Sequence, residues 1–252
     1  MTRVLVTNDD GIDAPGLHAL ARAAVREGLD VVIAAPAVQS SGASASIIAA
    51  EKDGRIAIER RALTGLDGTP AFAVHGGPGL IALIGARGAF GDPAEVVLSG
   101  VNHGANVGRA ILHSGTVGAA LTGGLNGAWG MAVSLDVGMA PDQFHWDTAA
   151  DAALAQVPYL TTHPRGTVVN LNVPNASPNR GIREAELAPF GIVQTTMTER
   201  DEHHVRFAVE DPPNVPTPGT DAAYLAEGWI TLTGLDPVSA VPLGFESAPE
   251  PG

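Results

Sequence analysis

The sequence predicts an α/β fold: a doubly wound, mostly parallel sheet followed by a β-rich C-terminal extension. The first supporting pattern is a strand, a helix and a second strand within about 35 residues, which is typical of a βαβ unit. The second is that the predicted strands are short continuous runs of Val, Ile and Leu, as in strands covered by helices on both faces. The third is a change near residue 176 to alternating apolar and polar residues, which favours antiparallel strands.

The first βαβ unit lies at the N-terminus. Arg3–Thr7 (RVLVT) is a β-rich run, and residues 8–16 form a loop that ends in Pro-Gly. Leu17–Glu27 is rich in alanine and has apolar residues at helical spacing, so it predicts a helix. Asp30–Ala35 (DVVIAA) predicts a second buried strand, which Pro36 ends.

The same pattern returns later in the chain. Glu95–Leu98 and Met131–Leu135 are predicted strands, with a loop over Ser99–Arg109 and a helix over Thr116–Asn126 between them. A further buried strand, Thr167–Val173, precedes Pro174, and residues 182–209 alternate. We therefore expect one domain over residues 1–175 and a β-rich extension over residues 176–252.

The composition narrows the classes of function. The chain has 252 residues, of which 45% are apolar, and because it has no cysteine, any metal must be held by oxygen or imidazole ligands. The 14 basic and 27 acidic residues give a net charge of −13. Because such a surface repels anionic polymers and surfaces, we expect no stable nucleic-acid complex and no membrane partner. No targeting segment or long apolar stretch is visible, which predicts a cytoplasmic protein.

The first candidate motif, NDDG at residues 8–11, directly follows the first predicted strand. In open α/β sheets, ligands bind at the carboxyl ends of the strands. The adjacent carboxylates of Asp9 and Asp10 repel each other unless a cation lies between them, and Mg²⁺ and Mn²⁺ prefer such oxygen ligands. The alternative is an ordinary surface turn, because Asn, Asp and Gly are frequent turn residues.

Two more polar loops follow strands of the same predicted sheet. Residues 36–46 (PAVQSSGASAS) offer small hydroxyls that could complete a metal site, or they form a flexible loop. Residues 99–116 offer Asn102 and Asn106 as oxygen ligands or hydrogen-bond donors. Ser114 and Thr116 precede or begin a predicted helix, where backbone N–H groups bind anions. Alternatively, either hydroxyl only caps that helix. The Walker A, dinucleotide-binding, nucleophile-elbow and H-E-x-x-H signatures are absent.

Three segments closely resemble the survival protein E (SurE) family of metal-dependent nucleotidases: VTNDDGIDAPG at 6–16, SSGAS at 40–44 and SGVNHGANVGRAILHSGTVGAAL at 99–121. Weaker similarity continues in NLNVP at 170–174 and TDAAYLAEGWITLTGL at 220–235. The resemblance implies a Rossmann-like domain with a β-rich extension that forms a homodimer or homotetramer. It also implies a phosphatase, a 5′-nucleotidase that hydrolyses nucleoside 5′- or 3′-monophosphates with one Mg²⁺ or Mn²⁺ per subunit.

The resemblance also implies roles for single residues. It places the metal ligands on Asp9, Asp10, Ser41 and Asn102. It places the phosphate contacts on Ser114, Gly115 and Thr116, with Asn106 lining the pocket.

The chain departs from the family pattern at two places. Ala37 and Val38 stand where family members usually have Asp-Arg, and Gly77 and Leu80 replace the Thr and Asp of a G-T-P-A-D segment. Neither change affects a proposed metal ligand. Both lie near loops that could shape the substrate pocket or the subunit contacts.

The mechanism we predict is in-line attack on phosphorus by a water that a bound ion activates. Asp9 or Asp10 would accept the proton of this water, and His103 or solvent would protonate the leaving ribose oxygen. One rival hypothesis is a phosphotransferase with Asp9 as covalent nucleophile, although that chemistry normally needs a distant lysine and Lys52 is the only lysine. The other is a catalytically weakened nucleotide-binding or regulatory protein of the same fold, for which the departures from the family pattern are the only support.

Overall fold

The computed structural model describes residues 1–47, 49, 51–138, 141–189, 194–201, 205–210, 216–236, 238–240 and 242, and only the backbone of 51–52, 194–200 and 205–210. The strands within these residues are β1 (Arg3–Thr7), β2 (Asp30–Pro36), β3 (Glu51–Lys52), β4 (Arg55–Ile56), β5 (Ile58–Arg61), β6 (Ala71–Val74), β7 (Val96–His103), β8 (Trp129–Asp136), β9 (Val168–Pro174), β10 (Ile182–Glu184), β11 (Gln194–Arg200), β12 (Val205–Glu210) and β13 (Ile230–Leu235). The helices are α1 (Pro15–Arg26), α2 (Pro78–Gly85), α3 (Gly115–Leu125), α4 (Trp146–Leu160), α5 (Asp221–Ala226) and a 3₁₀ helix over Gly108–His113.

Nine strands form one mixed, mostly parallel sheet, which confirms the predicted fold class. Their order is β10-β13-β9-β8-β7-β1-β2-β6-β5. The pairs β1–β2, β1–β7, β2–β6, β7–β8 and β8–β9 are parallel, whereas β5–β6 and β9–β13 are antiparallel. The chain leaves β1 toward β2 and later returns to its other side as β7. The strand order therefore reverses beside β1, and this is where open α/β sheets bind ligands.

Helices cover both faces of the central strands. Val4 and Val6 of β1 belong to the core cluster that includes Leu17 of α1 and Leu154 of α4. Between them, Leu5 points to the opposite face, in the cluster that includes residues of α2. Each fully buried side chain of this size contributes about 1.5–3 kcal/mol to folding. This two-sided burial explains why the strands are continuous apolar runs.

Several predicted boundaries differ from the structure, and two of them adjoin the polar loops. Helix α1 begins at Pro15 rather than at Leu17, because proline at the first helical position has the φ angle that a helix needs. The predicted loop over Ser99–Arg109 is strand as far as His103, and β7 continues its pairing with β8 beyond a register shift between Ser99 and Asn102. The polar and glycine-rich composition of this segment concealed the strand.

The C-terminal part of the chain contributes to the main sheet. Strand β13 pairs with β9, and β10 pairs with β13, so the sheet continues past residue 175. Strands β11 and β12 form a separate antiparallel pair. The division at residue 175 into two domains stays a prediction. Across the ranges described above, no helix is long and apolar enough to span a membrane.

Candidate functional site

The three polar loops follow β1, β2 and β7, which are neighbours in the sheet. All three strands are parallel, so their carboxyl ends lie at one edge. The first loop is a tight turn: the Asn8 side chain donates to the carbonyl oxygen of Gly11 and accepts from its N–H, at 3.1 Å each. Gly11 has a φ of +106°, which favours glycine. This turn holds Asp9 and Asp10 at the edge of the sheet.

Asp9 lies against the N-terminus of α3. Its side chain is buried, and Thr116 Oγ1 donates a hydrogen bond to Asp9 Oδ1 at 2.5 Å. Burial raises the pKa of the Asp9 carboxyl above its usual range, and the negative charge of Asp10 raises it further. The hydrogen bonds from the Thr116 side chain and backbone act in the opposite direction. The first turn of α3 therefore holds a carboxylate of the protein itself.

Glycines of α3 allow this close approach. A Cβ atom on Gly115 would lie 2.8 Å from the Asp9 Cβ and 2.9 Å from Asp9 Oδ2. One turn later, a Cβ atom on Gly118 would lie 2.3 Å from the carbonyl oxygen of Ser44. Both distances are too short for real atoms, so α3 can contact the first and the second polar loop only with glycine at these positions.

Asp10 joins the second and third loops. Its Oδ2 accepts a hydrogen bond from the backbone N–H of His103 at 3.2 Å, and its Oδ1 lies 3.4 Å from the amide nitrogen of Gln39. The same Gln39 nitrogen donates to Ser41 Oγ at 2.9 Å. Burial raises the pKa of the Asp10 carboxyl, while the hydrogen bond and the charge of His103 lower it. Gln39 thus links two of the residues predicted to bind metal.

Asn102 lies at the end of β7, next to His103. Its Nδ2 donates to the carbonyl oxygen of Gly104 at 2.8 Å, so that Oδ1 is the atom free to act as a ligand. The predicted metal ligands Asp9, Asp10, Ser41 and Asn102 therefore all belong to one rim and present only oxygen atoms.

The predicted phosphate contacts have structural roles of their own. Ser114 Oγ accepts from the N–H of Val117 and caps α3, as the alternative interpretation of the sequence had it. Asn106 donates through Nδ2 to Ser134 Oγ at 2.9 Å. Its backbone N–H donates to Asn172 Oδ1 at 2.8 Å, and its carbonyl oxygen accepts from Asn170 and Asn172. The assignment of these residues to phosphate stays a prediction.

Sequence reasoning missed several residues that support the site. Asn170 and Asn172 are fully buried on one face of β9. Two asparagines at a spacing of two in an otherwise apolar strand were a usable signal, because buried amides need partners. Gln39 gave no such signal, since it lies in a polar loop.

Asp221 also supports the site, although it lies more than 100 positions after the loop that it contacts. Its buried carboxylate accepts from the backbone N–H groups of Gly108, Ala188 and Ala222 at 2.8–2.9 Å. It therefore fixes the start of the 3₁₀ helix, two residues after Asn106, to the C-terminal segment.

The donor set fits a hard divalent cation. Asp9 and Asp10 are adjacent, desolvated carboxylates, and the described hydrogen bonds to them come from neutral groups. No group of three or more His, Cys, Asp or Glu residues able to hold a metal occurs in the part of the chain that the structure describes. A cation at this rim would depend on these two carboxylates together with neutral oxygens such as those of Ser41 and Asn102.

Comparisons with known proteins identify the family to which the chain is similar. The model of the family described as survival protein SurE matches residues 4–200. The 5′-nucleotidase SurE of Rhodopirellula baltica is 36% identical over 245 residues, which cover 92% of each chain. The 5′/3′-nucleotidase SurE of Escherichia coli O1:K1 / APEC is 32% identical over 240 residues, which cover 92% of this chain and 89% of the relative.

A solved structure shares the fold. The crystal structure of the SurE protein from Aquifex aeolicus superimposes with a TM-score of 0.75 at 24% identity, over 94% of each chain. Together, the match over residues 4–200 and the relatives above 30% identity show that this chain belongs to the SurE family.

Proposed function

We propose that the chain is a nucleotidase that hydrolyses nucleoside 5′-monophosphates, and 3′-monophosphates as a second class of substrate, to nucleoside and phosphate. The observation that carries the proposal is the pair Asp9 and Asp10, two desolvated carboxylates at the strand edge where the sheet order reverses. The names of the relatives from Rhodopirellula baltica and Escherichia coli support the same activity.

Asp9, Asp10, Ser41 and Asn102 would hold one Mg²⁺ or Mn²⁺ per subunit. When bound, such an ion supplies the positive charge that a phosphoryl group needs and lowers the pKa of a coordinated water. This accounts for phosphate binding by a chain with a net charge of −13.

The two carboxylates have different surroundings and therefore different roles. Asp9 is fixed by Thr116 at the start of α3, which makes it a rigid ligand. Asp10 is only half-buried and is held by the longer contacts to His103 and Gln39. Because Asp10 is more exposed and less tightly held than Asp9, it is the better placed proton acceptor for the attacking water. His103 or solvent protonates the leaving oxygen.

The test is phosphate release from a panel of nucleoside 5′- and 3′-monophosphates. We expect release with Mn²⁺ or Mg²⁺, its loss in chelator, and its return when metal is restored. Asp10→Asn should lower kcat by at least about 100-fold, as removal of a general base does. Asp13→Asn is the matched control, because Asp13 is an exposed carboxylate paired with Arg61. Equal release with and without chelator would contradict the proposal.

The same preparation separates the two rival hypotheses. A phosphotransferase with Asp9 as nucleophile would leave a phosphorylated aspartate, detectable by mass after trapping with a phosphate mimic. A regulatory protein would bind nucleotide with metal but release no phosphate.

We also propose that the chain is cytoplasmic and assembles as a homodimer or homotetramer, with the segment 176–252 contributing to the contact. The edge strand β10 supports the assembly, because Ile182 on it is 41% exposed and exposed edges favour pairing. Light scattering of the full chain, compared with an Ile182→Lys variant, tests this assembly.

A further inference from the structure

We propose that the aromatic rings of Phe144, Trp146 and His103 form a stacking platform for the base of the nucleotide. This inference rests on the proposed nucleotidase function and assigns the part of the site that recognises the nucleoside. None of the predicted metal or phosphate residues belongs to the platform.

The three rings are packed together. Phe144 and Trp146 are stacked, with centroids 5.3 Å apart and planes inclined by 22°. The His103 ring lies 5.2 Å from Phe144 and 6.1 Å from Trp146. Distances of this size are normal for interacting aromatic rings. The cluster therefore presents a continuous aromatic surface.

The platform is connected directly to the proposed catalytic carboxylates. The backbone N–H of His103 donates to Asp10 Oδ2, and the His103 ring extends from the same residue toward Phe144. A substrate whose phosphate lies at Asp9 and Asp10 would thus have its nucleoside within reach of the rings. One residue, His103, joins the two halves of the site.

The platform is anchored on one side and open on the other. Trp146 is partly buried against the core, where it packs over Gly16 of α1. Phe144 is 42% exposed, so part of its ring faces solvent. A rigid aromatic surface with an exposed outer ring is what stacking of a base requires.

A cavity of about 300 Å³ adjoins Phe144 and Trp146. It lies between the first turns of α1 and residues 144–148, and this volume is at the lower end of the range for small-molecule sites. Arg22 and Asp147, which line it, form an exposed ion pair at 3.5 Å. Arg22 offers hydrogen-bond donors and Asp147 offers acceptors next to the rings, where the polar edge of a base could bind to them.

The chemistry of stacking defines the substrate class. Every base has an aromatic face, so the platform accepts all nucleosides, and purines, with the larger rings, bind more tightly. The platform also explains how an acidic chain retains the uncharged part of its substrate, since stacking needs no positive charge.

The experiment compares two substrates in the full-length protein with saturating Mn²⁺: adenosine 5′-monophosphate and ribose 5-phosphate, which lacks the base. We expect Phe144→Leu to lower the ratio of their kcat/KM values by about tenfold, which is about 1.4 kcal/mol. Phe144→Trp keeps an aromatic face and should retain the ratio. The matched control is Tyr159→Ala, because Tyr159 is an exposed aromatic residue of α4 outside the cluster.

A second measurement is independent of turnover. Adenosine, which carries no phosphate, should quench tryptophan fluorescence of the wild type in chelator, and Phe144→Leu should weaken this binding by about tenfold, the loss of one stacking contact. A ratio unchanged within twofold in Phe144→Leu, or equal adenosine binding by wild type and variant, would overturn the platform. Failure of the nucleotidase proposal has a different signature: no metal-dependent phosphate release from either substrate, whatever the result with adenosine.

Discussion

The carboxylate of Asp9 lies in surroundings that disfavour its charge, because it is buried and next to Asp10. Among the described residues, the hydrogen bond that it accepts from another side chain comes from Thr116. In the unfolded chain water solvates each carboxylate, so the larger penalty, that of burial, vanishes and the repulsion between the two neighbours is screened. At this residue, the requirements of cation binding and of folding oppose each other.

We predict that Asp9→Asn stabilises the metal-free protein while abolishing activity. The folded-state pKa of Asp9 is raised above its usual 3.8, so the ionised carboxylate destabilises the fold at pH values above the raised pKa. As the pH falls from the raised value toward 3.8, this penalty disappears and wild type and variant become equal. Thermal unfolding in chelator between pH 4 and pH 8 measures the difference. Kinetics with Mn²⁺ should show a loss of several orders of magnitude.

Metal should reverse this order of stability. A ligand at about 100 times its Kd adds about 2.7 kcal/mol to the stability of a protein that binds it only when folded. Mn²⁺ at that concentration should therefore raise the Tm of the wild type but not that of Asp9→Asn. A variant less stable than the wild type in chelator at pH 8 would contradict this account of Asp9.

Thr116→Val tests the hydrogen bond to Asp9. Valine has nearly the shape of threonine, so the variant removes the hydroxyl and leaves the buried carboxylate with one donor fewer. We expect a loss of about 1–3 kcal/mol in folding stability at neutral pH. We also expect weaker Mn²⁺ binding, because Asp9 loses the contact that orients it. Thr161, a partly exposed residue at the C-terminal cap of α4, offers a matched control, Thr161→Val, for which metal binding should not change.

The sequence predicts the two aspartates of the site, but it does not predict the side chains that hold them in place. Asp9 and Asp10 are visible because NDDG follows a strand, where ligand-binding loops occur. Thr116 donates a hydrogen bond to Asp9 only because α3 packs against β7 and β8, beside the loop that follows β1. This contact joins residues more than 100 positions apart, and no local pattern encodes it.

Helix α3 is the element on which the site is assembled. Gly115 and Gly118 lie at positions where any side chain would collide with Asp9 or with the Ser44 carbonyl. Farther along, a Cβ atom on Gly123 would lie 2.6 Å from Val97 of β7. Glycine normally weakens a helix by about 1 kcal/mol relative to alanine. At these three positions close packing requires glycine in spite of that cost.

We predict that Gly115→Ala lowers both stability and activity, although alanine favours helix formation. The added methyl group must displace Asp9, and such overpacking costs about 1–3 kcal/mol. Gly234→Ala is the matched control, because a Cβ atom there meets open space and Gly234 has no positive φ. Circular dichroism melts and Mn²⁺ titration check both variants. Wild-type metal affinity in Gly115→Ala would contradict the packing argument.

Elements with a strong pattern were predictable, and those with a mixed pattern were not. The apolar runs of β1, β2 and β9 and the alanine-rich α1 follow from periodicity alone. Helix α4 escaped prediction, and so did the end of β7, where Ser, Gly and Asn continue a strand. There the pairing with β8 overrides local preference.

Across the whole molecule, residues of the C-terminal segment help to hold the loop that carries Asn106 in place. Strand β13 pairs with β9, whose Asn170 and Asn172 hold Asn106. Asp221 in α5 fixes Gly108 in the same loop. Residues 64 to 113 positions apart thus meet at Asn106 and Gly108. In the sequence, only the family similarity of residues 220–235 pointed to Asp221, because its partners are backbone amides, which have no sequence signature.

We predict that Asp221→Ala destabilises the fold by about 1–3 kcal/mol, since the Gly108 and Ala188 N–H groups lose their partner in a buried place. The loop that carries Asn106 should also become more mobile. Hydrogen exchange measures this at residues 104–114, with exchange in β1 as internal reference. Asp236→Ala, an exposed acidic position after β13, is the control. Unchanged exchange in residues 104–114 would contradict a tethering role for Asp221.

The tether from Asp221 also has a consequence for biosynthesis. Gly108 leaves the ribosome long before Asp221, so the loop between β7 and α3 exists for the synthesis of more than 100 residues without the carboxylate that fixes it. A nascent chain can form β1, β2, β7 and β8 in that interval, yet its site loop acquires its final anchor only after Asp221 has been synthesised. Premature termination before residue 221 therefore produces chains that retain both aspartates but lack that anchor.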